Sequence, residues 1–182
     1  VKDDKNSLKL FLSKAIKNSD VVISSGGISM GRYDYVRDVL IELGVEEHFW
    51  KVAQKPGKPL FFGTKEKKII FGLPGNPVSS FIGFMEWVWP VLKDIIGEKS
   101  RETIYGVLEE PFPREKKKHR FLFGEAKYRN NRLVCSSTSR IGSHMLTSAL
   151  GANCILESSP GATHLNPGDL IKVNLLPWKT IK

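Results

Sequence analysis

Cysteine is scarce in this chain: two residues in 182, Cys135 and Cys154, with no CxxC pair and no Cys/His spacing of the zinc-binding kind. That argues against a disulfide-stapled scaffold and against a structural zinc site, and both thiols read as reduced core residues in strand-like surroundings. No apolar run is long enough to span a bilayer, and the opening VKDDKNS lacks the apolar core of a signal peptide. The expectation is a cytoplasmic protein with no membrane partner. Internal repeats and low-complexity tracts are missing too. Acidic residues are outnumbered, 19 against 28 Lys and Arg, which leaves a net charge of +9. Such an excess suits a nucleic acid, an anionic membrane or a small phosphorylated ligand. No aromatic-basic stacking pattern accompanies it, so nucleic acid is not the expected partner. Much of the excess lies in two runs, Lys65-Glu66-Lys67-Lys68 and Arg114-Glu115-Lys116-Lys117-Lys118-His119-Arg120. The bland reading makes both solvated turns.

What is present is an ordinary globular composition, 41% hydrophobic and 26% charged, which argues against disorder. Leu8, Phe11, Leu12 and Ala15 recur at helical spacing, and Asp20–Ser24 reads as a short buried strand. A Gly-rich loop follows, then Val36, Val39, Leu40 and Leu43 at helical spacing, with Gly44 placed to end that helix. Pro59–Phe62 and Ile69–Phe71 flank Gly63–Lys68 as a hairpin with a charged turn. Phe81, Phe84, Met85, Val88, Leu92 and Ile95 mark a long helix kinked at Pro90. This alternation predicts an α/β layer, a mainly parallel sheet with flanking helices. Beyond Ile96 the pattern changes to short β-rich runs, Thr103–Leu108, Arg120–Lys127, Arg132–Ser136, Asn153–Leu156 and Asp169–Val173, separated by turn signals. The expectation is an α/β domain over residues 1–98 and a small all-β domain, sandwich or barrel, over 99–182.

Two loops leave strands and enter helices, where ligands bind in open α/β sheets. The first is Ser25-Gly26-Gly27-Ile28-Ser29-Met30-Gly31, whose glycines let backbone N–H groups approach an anion. In the second, Gly72-Leu73-Pro74-Gly75-Asn76-Pro77, Asn76 is placed to cap the helix, Pro77 takes its first position and Gly75 lets the turn close. Either could equally be a tight turn and nothing more. Asp34 follows the first loop, and Asp3 and Asp4 lie at what would be the end of the preceding strand. Carboxylates beside a phosphate cradle need a hard cation such as Mg²⁺ between; the plainer role is favourable charge at a helix N-terminus. Lys51, Lys55 and Lys58 could face an oxyanion or simply be solvated.

Three of these stretches carry a resemblance. SSGGISMGRYD resembles an SGGxSxGxxD loop, KPGKPLFFG a PGKPxxFG segment, and GLPGNPVSS a GLPGNPVS turn, all in the order found in the molybdopterin molybdenumtransferase family, MoeA, which includes the E domain of gephyrin. The match covers roughly residues 20–96, and residues 103–175, including Arg140–His144, are similar to that family's C-terminal β domain. The resemblance implies molybdenum cofactor biosynthesis, with molybdate inserted into the dithiolene of adenylylated molybdopterin and AMP released. By position, Asp3 and Asp34 match acidic residues of the Mg²⁺ and nucleotide site, and Lys51, Lys55, Pro74 and Pro77 match pocket residues. Arg120 and Ser143 match further cofactor-binding positions in the β domain. The resemblance thus assigns catalysis to Asp3, Asp34, Lys51 and Lys55, metal binding to Asp3 and Asp34, and cofactor binding to Ser25, Gly26, Gly27, Ser29, Gly31, Pro74, Gly75, Asn76, Pro77, Arg120 and Ser143. It implies a homodimer for the full-length protein.

The family's cofactor-binding fold has a strand, a helix and most of a second strand before the position of Val1, so the expected fold is N-terminally incomplete, with an exposed sheet edge. Two other functions stay open from sequence. One is the related molybdopterin adenylyltransferase, which shares the α/β fold; the β-rich second half and the SGGxSxG form of the loop favour metal insertion over it. The other is a gephyrin-like scaffold that holds a partner without catalysis.

Overall fold

The computed structural model describes residues 4–29, 35–98, 103–138, 149–179 and 181. They fall into two compact units, residues 1–52 with 57–88 and residues 53–56 with 89–182.

In the first unit, helix α1 (Lys5–Asn18) begins at Asp4, whose carboxylate accepts the N–H groups of Asn6 and Ser7. Leu12 and Ile16 turn its apolar side into the core beside Val22, Val39, Leu40, Phe61 and Ile70. Strand β1 (Val21–Ser25) leads to helix α2 (Val36–Glu42). Gly44, at φ 79°, stops α2 by donating its N–H to the carbonyl of Ile41, a turn in which a β-carbon would be strained. Strands β2 (Glu46–Trp50), β4 (Phe61–Lys65) and β5 (Lys68–Leu73) complete a four-stranded sheet in the order β1-β5-β4-β2.

The expected mainly parallel sheet with flanking helices is not what forms. Only β1 and β5 run parallel; β4–β5 and β2–β4 are antiparallel. The reason lies in connection length, since a parallel neighbour needs a crossover of a dozen residues or more. Glu66 and Lys67 alone join β4 to β5, with Glu66 at φ 54°, so that pair must fold back as a hairpin. The charged turn is also shorter than its sequence suggests, because Gly63, Thr64 and Lys65 belong to β4. Charge-rich β2 carried no strand signal, and it pairs along β4 through a bulge between Glu47 and Phe49.

The single long helix expected after β5 is broken. Helix α3 (Pro77–Gly83) passes into a π-helical turn (Phe84–Val88) and then α4 (Trp89–Ile95). Pro90 has no N–H to offer the carbonyl of Glu86, and the irregularity is taken up in the turn before it.

In the second unit, β6 (Ile104–Leu108), β7 (His119–Arg129), β8 (Arg132–Ser137), β9 (Cys154–Ser158) and β10 (Leu170–Leu175) close on themselves. The cycle of pairings is β7-β8-β6-β10-β9 and back to β7, a five-stranded barrel rather than a sandwich. Asn130 and Asn131, both at positive φ, make the tight β7–β8 turn. Leu108, Leu133, Leu156, Ile171 and Val173 fill the interior with Cys135 and Cys154. Both thiols are free and buried, and burial pushes their pKa values up to about 11 and about 12. Closure demands a small residue at Gly124, where a Cβ would come within 2.6 Å of Leu156. A short strand β3 (Gln54–Lys55) pairs parallel with the start of β7 outside the barrel.

Candidate functional site

The two strand-to-helix loops of the first unit meet. They leave β1 and β5, the only parallel pair of that sheet, so both emerge at carboxyl ends on the same side. The Gly26 N–H donates to the carbonyl of Leu73 at 2.9 Å, and Ser25 Oγ lies 3.3 Å from the carbonyl of Pro74 and 3.2 Å from Ser80 Oγ. A Cβ at Gly75 would stand 3.5 Å from the Cα of Gly26, so the backbones pass at a distance that side chains would fill. Gly26 and Gly27 take φ values of 89° and 70°. Pro74 is buried beneath this junction, while Ser25, Ser29, Gly75, Asn76 and Pro77 are exposed.

Local chemistry fixes each loop. Asn76 caps α3 by accepting the N–H of Ser79 at 3.0 Å, and Pro77 sits at the first helical position. The cap uses the Ser79 donor, and Pro77 has none. In the other loop Ile28 is a buried anchor, 1% exposed, and the carbonyl of Gly27 accepts the N–H of Val36 at 3.0 Å. The carbonyl of Ile28 accepts Trp50 Nε1–H at 2.8 Å, which ties β2 to the loop.

Trp50 also receives two cations. The Arg37 guanidinium lies 4.4 Å and Lys51 Nζ 3.9 Å from the indole centroid. Lys51 is half-buried with φ 99°, a conformation a side-chain-bearing residue rarely holds. Its N–H donates to the carbonyl of Leu60 at 3.1 Å, and Val52 donates to Lys58, which closes the loop that carries the expected lysines. Lys58 is exposed.

A cleft of about 450 Å³ opens between α1 and the end of β1, lined by Asp4, Phe11, Ser25, Gly26, Gly27 and Tyr35 among others. Asp4 spends its carboxylate on the α1 cap, which holds its pKa below the ordinary value through the Ser7 and Asn6 hydrogen bonds. Asp3, Gly31, Asp34 and Ser143 lie outside the described residues. Among the described residues no three His, Cys, Asp or Glu side chains gather as a metal site.

The second unit brings together Lys55 and Arg120. They are register partners across β3 and β7, and Arg120 is the partner of Ser158 across β7 and β9. Facing residues of paired strands project to one side, so Lys55, Arg120 and Ser158 form a row. Glu115 Oε1 accepts from Lys55 Nζ at 2.6 Å and lies 3.7 Å from Arg120 Nη1. Burial holds the Arg120 guanidinium below its ordinary pKa, and the Glu115 charge opposes that shift. Nε and Nη1 of Arg120 and Oγ of Ser158 are buried without a hydrogen-bond partner. The second basic run is therefore not a plain solvated turn: Arg114 donates to the carbonyls of Ser159 and Pro160, and of the run only Lys116 and Lys117 are exposed.

Trp50, Ser80, Glu115 and Ser158 escaped the sequence reading. Glu115 is the one acid inside a basic run, a signal that was present. The others are visible only once the strands pair.

Known proteins are similar to this chain in sequence and in fold. Residues 1–94 match the family of the probable molybdopterin binding domain, and residues 105–176 match the MoeA C-terminal region, domain IV. The molybdopterin molybdenumtransferase of Nostoc sp. is 46% identical over 100 residues, 53% of this chain and 23% of that protein. That of Haemophilus influenzae is 31% identical over 169 residues, 91% of this chain and 41% of the relative. A crystal structure of a molybdopterin biosynthesis MoeA protein from Pyrococcus horikosii superposes with a TM-score of 0.74 at 30% identity, over 95% of this chain and 41% of that one. The chain thus spans no more than 41% of the length of these relatives. Two adjoining family domains, in the order in which the sequence places its α/β and β-rich halves, lead to one conclusion: the chain belongs to the MoeA family.

Proposed function

We propose that this chain supplies part of a molybdopterin molybdenumtransferase, which inserts molybdate into the dithiolene of adenylylated molybdopterin and releases AMP. The observation that carries the reading is the junction of the two glycine loops at the ends of the parallel strands, with Gly26 bonded to Leu73 and packed on Gly75. Backbone N–H groups in such a crevice suit an anionic, phosphate-bearing ligand. Ser25, Gly26, Gly27, Ser29, Gly31, Pro74, Gly75, Asn76 and Pro77 bind the cofactor precursor in this reading, and the resemblance alone gives Arg120 and Ser143 the same role. Lys51 and Lys55 present fixed positive charge to an oxyanion, the kind of preorganised stabilisation that lowers a barrier where negative charge develops.

Mg²⁺ belongs to the same reading, held by Asp3 and Asp34. Asp3 and Asp34 lie outside the described residues, and their match by position to the acidic residues of the MoeA family's Mg²⁺ and nucleotide site supports their part in this reading. Hard carboxylate oxygens are the donors that Mg²⁺ prefers, and bound there it would neutralise phosphate charge. The domain IV match supports metal insertion over adenylyl transfer. The division into domains 1–98 and 99–182, a homodimer and a cytoplasmic location complete the proposal.

Calorimetric titration of the natural protein with adenylylated molybdopterin, with and without Mg²⁺, tests it. Metal-dependent binding that Asp34→Ala abolishes is the expected result. Binding by a folded protein that ignores both the metal and the substitution contradicts the assigned site.

A further inference from the structure

Lys55 and Arg120 are like charges on adjacent strands, in register and on one face. Strand neighbours stand about 4.8 Å apart, so the two cations repel unless a carboxylate lies between them. Glu115 is that carboxylate. Its Oε1 takes the Lys55 ammonium at 2.6 Å and faces Arg120 Nη1 at 3.7 Å. The residue is itself firmly mounted, since it bridges to Lys118 across a tight turn and its carbonyl accepts the N–H of Gly161 at 2.9 Å. An ion pair this exposed adds little to stability, so its placement is better explained by what it does to the two cations.

We infer that Glu115 is a positioning residue, which holds Lys55 and Arg120 side by side so that their remaining N–H groups face an anionic ligand together. The inference rests on the reading of Lys55 and Arg120 as site residues. Arg120 Nε and Nη1 and Ser158 Oγ, its partner across β9, are buried and make no hydrogen bond, so the row retains the hydrogen-bonding capacity that an oxyanion needs. The hydrogen bond from Lys55 keeps the Glu115 carboxyl below its ordinary pKa, so the tether stays charged through neutral pH.

The sign of the effect distinguishes this role from others. Replacing Glu115 by Gln removes a negative charge beside an anion site, which favours ground-state binding of the anion, yet it also frees Lys55. A positioning role therefore predicts slower turnover without weaker binding. The test compares the natural protein with Glu115→Gln, Glu115→Asp and Lys55→Ala. Molybdate-dependent AMP release is measured for each, and so is the rate at which Lys55 is acylated by an amine-selective reagent, read by mass spectrometry against Lys58 as internal reference. Glu115→Gln is expected to lower kcat at least 10-fold with KM unchanged or reduced, and to raise Lys55 acylation at least threefold; Glu115→Asp recovers most of both. Unchanged Lys55 acylation in Glu115→Gln overturns the inference, whatever happens to turnover. A reduced KM with unaltered kcat overturns it too, since Glu115 would then only compete with the ligand. If Lys55→Ala turns over like wild type while Glu115→Gln still exposes Lys55, the tether stands and the catalytic reading of Lys55 fails.

Discussion

Lys51 stands over the indole of Trp50, its Nζ 3.9 Å from the ring centroid, on a backbone turned to φ 99°. The same indole donates Nε1–H to the carbonyl of Ile28. One aromatic side chain thus fixes both a proposed catalytic lysine and the first glycine loop. Trp50→Phe keeps an aromatic face under Lys51 but leaves the Ile28 carbonyl without its donor. The expected loss is about 1 kcal/mol of stability, measured by urea denaturation. An unchanged midpoint would show that the indole N–H does not hold the loop.

Gly27 and Gly75 separate folding from binding. At Gly27 a methyl group would come within 2.6 Å of Val36 Cγ2 on a backbone at φ 70°, so Gly27→Ala is expected to destabilise by about 1–3 kcal/mol in chemical denaturation. At Gly75 the nearest atom, the Gly26 Cα, would be 3.5 Å away, an ordinary contact. Gly75→Ala should therefore melt within a few degrees of wild type yet weaken binding of adenylylated molybdopterin, because the added methyl lies at the loop junction. Equal binding by Gly75→Ala would argue against a ligand at that junction.

The parts of the fold that could be read from sequence are those set by local chemistry. Leu8, Leu12 and Ala15 at helical spacing, Asn76 with Pro77 at a helix start, and Gly44 at a helix end each act within a few residues and stand where the sequence puts them, whereas Phe11, expected on the same helical face, is exposed. The β-rich second half was legible for the same reason, since short alternating runs and Asn130-Asn131 define strands and a turn locally. Sheet direction was not, because pairing is a long-range property. The Glu66-Lys67 turn already implied one antiparallel pair, but β2, with Glu46, Glu47 and His48, offers no alternation that reveals it as the neighbour of β4. The candidate site divides along the same line. The glycine loops announce themselves, whereas Glu115, Ser158 and Trp50 take on meaning only through partners 60, 38 and 22 residues away.

The two buried thiols set an alkaline limit. An ordinary thiol ionises near pH 9, while Cys135 and Cys154 are held up to about 11 and about 12 by burial. Above pH 9 the unfolded chain releases these protons and the folded chain keeps them, so the unfolded state binds fewer protons and stability falls as pH rises. Below pH 9 both states hold the protons and the thiols add no slope. Denaturation midpoints should decline from about pH 9 upward, and Cys135→Ala/Cys154→Ala, although less stable, should show a shallower decline. Identical slopes would place the alkaline sensitivity elsewhere.

The most direct test of the whole account is turnover by the natural protein. Adenylylated molybdopterin, Mg²⁺ and molybdate are supplied, and AMP is quantified with molybdate present and withheld. The account predicts AMP release that depends on molybdate and disappears in Asp34→Ala while the variant remains folded. AMP release that proceeds at the same rate without molybdate, or that survives Asp34→Ala, would contradict it.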